Sequence, residues 1–260
     1  MNPSFPLPFL FSVSLLALAS CQESNVAPPT PLEAEVVEVL PHDNQAFTQG
    51  LLLHDGHFYE STGQYGESTL RKIKPRTGEI VEVRYLTDEF FGEGLALLGD
   101  RLFQLTWKAG KGFIYDLKTF KKLDEFAYEG EGWGLTTDGT HLIMSDGTST
   151  LRFLDPRTFQ VVRRLEVADP SGKVADLNEL EYVNGQIFAN LWYRDEIVRI
   201  SPETGHVTGI LSLRGLLRPI PSDPDSVLNG IAYNKEKDLY YVTGKRWPKI
   251  FAIRIRESSE

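Results

Sequence analysis

The sequence predicts an all-β fold of repeated sheets closed into a ring, and three observations carry that prediction. Five segments share one hairpin pattern at intervals of 40 to 50 residues. A second unit, with a threonine in a tight turn, recurs between them. The two ends of the chain hold complementary pieces of one repeat. Each element can be justified in chain order.

The chain of 260 residues opens on a leader. Phe9–Ser20 (FLFSVSLLALAS) is apolar, shorter than a bilayer-spanning helix, and ends in small residues. It runs into Cys21, the single cysteine. Leu18-Ala19-Ser20-Cys21 resembles the lipobox of bacterial lipoproteins, in which the cysteine is acylated and becomes the mature N-terminus. Residues 1–20 are therefore expected to be a lipoprotein signal peptide. The simpler alternative is an ordinary secretory signal with an incidental cysteine. Lipid on Cys21 would anchor the chain without spanning the membrane. An exported bacterial lipoprotein is expected, on the periplasmic side or at the outer membrane. Residues 21–32 are polar and proline-rich, as in a flexible linker, and the folded domain is expected over 33–260.

Glu33–Asp43 (EAEVVEVLPHD) reads as a lone alternating strand. Five hairpins follow: Phe47–Gly63, Phe91–Trp107, Glu131–Gly147, Leu177–Trp192 and Val227–Gly244. Each pairs a short apolar strand with a β-branched or aromatic one across a turn of Asp, Gly, Asn or Lys. Their aligned positions Gly50, Gly94, Gly134, Leu180 and Gly230 are spaced by 44, 40, 46 and 50. Between hairpins, Thr77, Thr119, Thr158 and Thr204, spaced by 42, 39 and 46, mark turns between two further strands. Four strands per period is the pattern of a propeller blade. The fifth period lacks its outer strand, and Glu33–Asp43 can supply it, removing exposed sheet edges. A five-bladed β-propeller is expected, its ring closed by the N-terminal strand joining the last blade. The regular period disfavours a β-sandwich or a lipocalin-like barrel, and no long amphipathic helical segment interrupts it.

In such a ring the first strand of each blade lines the central channel. The residues just before the aligned positions are Gln49, Glu93, Trp133, Glu179 and Asn229. Four are polar where a core-facing entrance would repeat an apolar residue, so a polar cluster is expected at the channel mouth. By itself that cluster fits a merely water-filled channel. Phe47 and Phe91 precede Gln49 and Glu93 by two residues, and Trp107 and Trp192 follow Glu93 and Asn178 by fourteen. Aromatic walls around a few convergent polar groups are the usual build of a small-molecule site. For Trp247, beside Pro248, core packing is the better account. A glutamate between such walls loses hydration, which raises its pKa toward a range useful for proton transfer. Glu93, flanked by Gly92 and Gly94, is the leading acid/base candidate, with Glu179 its competitor.

Other chemistries lack their residues. A formal charge of −9 without a basic block argues against nucleic-acid binding. The five histidines have no metal-ligand spacing, and no G-x-S-x-G elbow or P-loop occurs. No cofactor is expected for catalysis. Asp43, Asp146 and Asp176 remain candidates for a structural calcium ion in the channel.

Taken together, PHDNQAFTQGL, FGEGLALLGDRLFQLTW, GEGWGLTTDG, DLNELEYVNGQIFANLW and LNGIAYNKEKDLYYVTGK resemble the plant and bacterial type of glutaminyl-peptide cyclotransferase, or glutamine cyclotransferase. The resemblance covers about Val36 to Ile253. It implies a five-bladed propeller that converts N-terminal glutamine of peptides or proteins to pyroglutamate, releasing ammonia without a catalytic metal. It implies Glu93 as the catalytic glutamate, and Phe47, Gln49, Phe91, Trp107, Trp133, Asn178, Trp192 and Lys245 as substrate contacts. Oriented donors (a Trp N–H, Gln49, Asn178 or Lys245) are expected to hold the developing oxyanion. Peptides with N-terminal Gln and a membrane reached through Cys21 are the expected partners, and the protein is expected to be a monomer. A metal-dependent propeller hydrolase or lactonase, and a non-catalytic peptide-binding propeller, are the alternatives compatible with the pocket residues alone.

Overall fold

The computed structural model of the protein describes residues 1, 27–219 and 222–258. The expected leader and Cys21, the expected site of acylation, lie outside the described residues, Met1 excepted. The described residues form 22 strands and no helix, so none of them offers a helix long and apolar enough to cross a membrane.

Blade 1 is Thr48–His54, His57–Thr62, Thr69–Ile73 and Ile80–Tyr85. Blade 2 is Gly92–Leu98, Arg101–Thr106, Lys111–Asp116 and Lys122–Ala127. Blade 3 is Leu135–Thr137, Leu142–Met144, Thr150–Leu154 and Val161–Glu166. Blade 4 is Leu177–Val183, Gln186–Leu191, Glu196–Ile200 and Val207–Ser212. Blade 5 is Leu228–Asn234, Leu239–Gly244 and Lys249–Glu257, completed by Thr30–Pro41. The first strand of each blade packs on that of the next, and blade 5 returns to blade 1. Five apolar clusters fill the five interfaces between neighbouring blades. Leu51, Leu102, Leu142 and Leu180 are each buried to 1% exposure or less, and each such side chain contributes roughly 1.5–3 kcal/mol of transfer free energy.

The recurring threonines do what their position suggests. Thr77, Thr119, Thr158 and Thr204 each accept a hydrogen bond from the amide two residues on, at 3.2–3.4 Å. The residue after each one adopts positive φ, Gly78 and Gly205 without cost and Phe120 and Phe159 against preference. Phe120 recovers the cost by burying its ring between blades 1 and 2.

Ring closure follows the expected plan, with an addition. Thr30–Pro41 pairs antiparallel with Lys249–Glu257. It begins at Thr30 rather than Glu33, because Thr30, Pro31 and Leu32 also pair in parallel with Gly209, Ile210 and Leu211 of blade 4. Blades 4 and 5 thereby become one eight-stranded sheet. A short hairpin, Ala168–Asp169 with Gly172–Lys173, also links blades 3 and 4.

A buried ion pair locks the closure. His42, just beyond the N-terminal strand, sets Nε2 2.9 Å from Oε1 of Glu60 in blade 1 and Nδ1 2.6 Å from the Trp247 carbonyl oxygen. Thr48 Oγ1 donates to the same Glu60 oxygen at 2.7 Å. Burial works to lower the His42 pKa, but the Glu60 charge and the two hydrogen bonds overcome it and raise it. The Glu60 carboxyl is likewise pushed up by burial and pulled below its ordinary value by His42. Trp247 is core, as expected, 4% exposed with its N–H on the Ser226 carbonyl.

Candidate active site

The channel mouth is built by β-bulges. In blade 2, Gly92 pairs with Thr106 and Leu95 with Gln104, so Glu93 and Gly94 together oppose Leu105. An extra residue bends the strand and re-aims a side chain, and here it turns Glu93 inward. Blades 1 and 5 bulge at Gln49 and at Asn229–Gly230. In blade 4 the bulge is Asn178–Glu179. Asn178, not Glu179, is thus the counterpart of Glu93, and the hairpin-based alignment is one residue off in this blade. Glu179 occupies the slot that is glycine in blade 2 and blade 5. Its side chain crosses the channel, where Oε1 accepts from the Leu51 amide at 3.0 Å and Oε2 from the Ile231 amide at 2.8 Å.

Glycine in that slot has a steric cause. A Cβ on Gly94 would lie 2.4 Å from the Leu135 nitrogen, while the Gly94 amide donates to the Trp133 carbonyl at 2.7 Å. The inner strands of blades 2 and 3 meet too closely for a side chain between them.

All nine residues expected at the site line one cavity of about 230 Å³. That lies below the roughly 300–1,000 Å³ of drug-sized sites, a size suited to one side chain and its backbone amine. Glu93 is 4% exposed and accepts at Oε1 from Gln49 Nε2 at 3.0 Å. Gln49 is held in turn by Asn229 Nδ2, which donates to its Oε1 at 3.1 Å and to the Thr48 carbonyl at 3.0 Å. Burial pushes the Glu93 carboxyl well above the ordinary range; the Lys245 charge opposes this and the Glu131 charge adds to it. Lys245, 5% exposed, lies over the Phe47 ring at 4.8 Å. Burial lowers its pKa, and the charges of Glu93 and Asp225 pull it back up. Asn178 presents an amide whose Oδ1 finds no partner among the described residues.

The walls are aromatic and mutually braced. Phe91 meets Phe47 edge-on at 6.0 Å and Trp107 at 5.5 Å. Trp133 meets Trp192 edge-on at 5.0 Å. The N–H groups of Trp107 and Trp133 both donate to Glu131, however, at 2.8 and 2.9 Å. These two N–H groups are therefore occupied, and of the expected donors Lys245, Asn178 and the Trp192 indole line the cavity without that engagement.

Three site residues escaped the sequence reading. Glu131 had a signal: it stands two residues before Trp133, the offset at which blades 1 and 2 carry Phe47 and Phe91. Gln64 and Asp225 line the cavity from loops. Gln64 has φ 91°, and Asp225 accepts from the Tyr193 hydroxyl at 2.6 Å. No repeat position marks either.

Among the described residues no three His, Cys, Asp or Glu side chains converge as a metal site. Asp43 pairs with Arg71 at 2.7 Å, and Asp146 pairs with Arg152 at 3.3 Å. The expected calcium ligands Asp43, Asp146 and Asp176 thus do not come together, and a calcium ion in the channel finds no support in their placement.

Similarity to known proteins agrees with the geometry. The profile of the family described as glutamine cyclotransferase matches residues 9–255. The chain is 46% identical over 233 residues to a glutaminyl-peptide cyclotransferase of Arabidopsis thaliana, covering 87% of this chain and 72% of the relative. The crystal structure of Myxococcus xanthus glutaminyl cyclase superposes with a TM-score of 0.84 at 36% identity, over 89% of this chain and 100% of that one. The WD40 repeats of RRP9, 10% identical at a TM-score of 0.56, share only the fold.

Proposed function

The chain belongs to the glutamine cyclotransferase family and is a glutaminyl-peptide cyclotransferase, and on that premise we propose that Glu93 is its general acid and base. The observation that supports the role is a buried carboxyl, fixed by one amide donor and open to an aromatic cavity that admits a single side chain.

In this reading an N-terminal glutamine enters with its side chain folded toward its own amine. The neutral α-amine attacks the γ-carbonyl carbon, and the new N–C bond closes a five-membered lactam. The Glu93 carboxylate takes the proton lost by the amine and returns it to the amide nitrogen. The old C–N bond then breaks and ammonia leaves, so Glu93 ends as it began. Lys245 favours the carboxylate that burial alone would suppress, and with Asn178 it can hold the carbonyl oxygen as charge develops. Gln49, steadied by Asn229, orients the Glu93 carboxyl. Because the reaction is intramolecular, wall contacts that hold the cyclising conformation supply much of the acceleration.

Incubating the protein with a Gln-initiated dipeptide, with and without chelator, tests this reading. Stoichiometric ammonia and pyroglutamyl product from wild type, and loss of turnover in folded Glu93→Gln, are expected. A folded Glu93→Gln protein with the wild-type rate would overturn the assignment. Export and anchoring through Cys21 form a separate proposal resting on Leu18–Cys21. Labelled fatty acid should enter the wild-type protein and not Cys21→Ser.

A further inference from the structure

Glu131 is a carboxylate behind the pocket wall, held by two of the wall's own tryptophans. Its Oε2 accepts the indole N–H of Trp107 from blade 2 at 2.8 Å and that of Trp133, leading into blade 3, at 2.9 Å. A single oxygen thus joins two walls from neighbouring blades. Lys108 completes the arrangement, with Nζ 3.8 Å from the Trp107 ring centroid and 3.9 Å from Glu131 Oε1. Each tethered indole braces another ring: Trp107 packs on Phe91, and Trp133 on Trp192. Four of the aromatic walls therefore depend on one acceptor. Blades 1 and 2 place Phe47 and Phe91 at the corresponding position, so the carboxylate is a departure from the repeat.

We propose that Glu131 is a positioning residue, which locks Trp107 and Trp133 into the wall that holds the substrate's glutamine in its cyclising conformation. The identity of that substrate rests on the cyclotransferase reading; the clamp itself rests on the two hydrogen bonds. A carboxylate suits the task because it accepts from several donors at once, and hydrogen bonds to an ionised acceptor are the stronger kind. Without it both indoles could turn, and a misplacement of the wall on the order of 1 Å is enough to cost reactivity.

Two substitutions separate the clamp from the charge. Glu131→Ala removes the acceptor. Its near-UV circular dichroism should change, and KM for a Gln-initiated dipeptide should rise by about tenfold or more, as two charge-assisted bonds are lost. Glu131→Gln keeps an acceptor oxygen without the charge. It should restore the near-UV spectrum and most of the KM, while the acidic limb of kcat moves to lower pH. The direction follows because an anion near Glu93 disfavours its ionisation. The other groups coupled to Glu93 that bear on this limb are Lys245, itself influenced by Asp225, and Tyr128, all left in place. If Glu131→Ala kept the wild-type spectrum and KM, or if both variants lost activity equally with the acidic limb unmoved, the proposal would fail. Should Glu131→Ala not fold, Trp133→Phe removes one N–H and keeps an aromatic ring; a rise in KM supports the clamp and an unchanged KM overturns it. Wild-type ammonia release, measured alongside, tests the cyclotransferase reading independently of the spectra.

Discussion

Glu93 and Glu179 are the same residue type at the bulges of blades 2 and 4, 4% and 1% exposed. Burial drives both carboxyls well above the ordinary range. Their surroundings differ. Both oxygens of Glu179 accept backbone amides, from Leu51 and Ile231. Glu93 has one side-chain donor and looks into the cavity. A raised pKa therefore does not distinguish a strut from a reactive group here. The difference lies in how fully the protein satisfies the carboxyl and whether a substrate can reach it.

Parallel substitutions should break the pair apart. Glu93→Gln is expected to lower kcat by about 10²–10⁴, the usual worth of a positioned acid/base, with little change in denaturation midpoint. Glu179→Gln should do the reverse. Its new NH₂ would face a backbone N–H, leaving buried donors unpaired at a cost of roughly 1–3 kcal/mol each. Urea unfolding would show the loss, while the folded fraction keeps its turnover. If Glu179→Gln abolished turnover at unchanged stability, the contrast between the two glutamates would collapse.

Glu60 adds a third buried glutamate, satisfied by charge instead of amides. His42→Ala would strand it, which typically costs about 3–5 kcal/mol, and the loss should appear as opening of the seam between blades 5 and 1 in hydrogen exchange. The wild-type pair also sets a pH dependence. The Glu60 pKa is depressed, so its contribution is complete above 4.5 and fades as pH falls through the folded value. The His42 pKa is raised, so its contribution is complete below 6.5 and fades as pH rises through the folded value. The difference in stability between wild type and His42→Ala should accordingly be greatest and flat between those two pH values. A constant difference from pH 4 to 9 would mean that the pair is held by packing alone.

Much of this was legible in the sequence, because the signals were local. Period-two strands and the Thr77-type turns fix each blade within some 40 residues, and the repeat then brings Gln49, Glu93 and Trp133 to one axis. What was missed is non-local or hidden by a bulge. In blade 4 the bulge slot that is glycine in blades 2 and 5 holds Glu179, so an alignment on that glycine slid by one residue and Glu179 stood in for Asn178. The fourteen-residue offset to Trp192, shared by Glu93 and Trp107, carried the correct register. The parallel pairing of Thr30–Leu32 with Gly209–Leu211 joins segments far apart in the chain. The occupancy of two indole N–H groups by Glu131 depends on how blades 2 and 3 meet.

The smallest expected effect bears on why Glu93, although buried, can ionise at all. Lys245 is the cation whose charge acts on it, and burial disfavours the charged form of both groups. Each charge therefore makes the other less costly, and neither is fully compensated. Lys245→Met removes the cation and should raise the Glu93 pKa further, so the acidic limb of kcat moves to higher pH. Glu131→Gln should move the same limb the opposite way, since it removes an anion. Lys245→Arg keeps the charge and should leave the limb near its wild-type position, even if KM changes. A limb that stayed fixed in Lys245→Met while kcat fell at every pH would restrict Lys245 to the substrate's carbonyl oxygen. The lifted carboxyl would then owe its ionisation to the Gln49 amide alone, and the difference between Glu93 and Glu179 would reduce to access to the cavity.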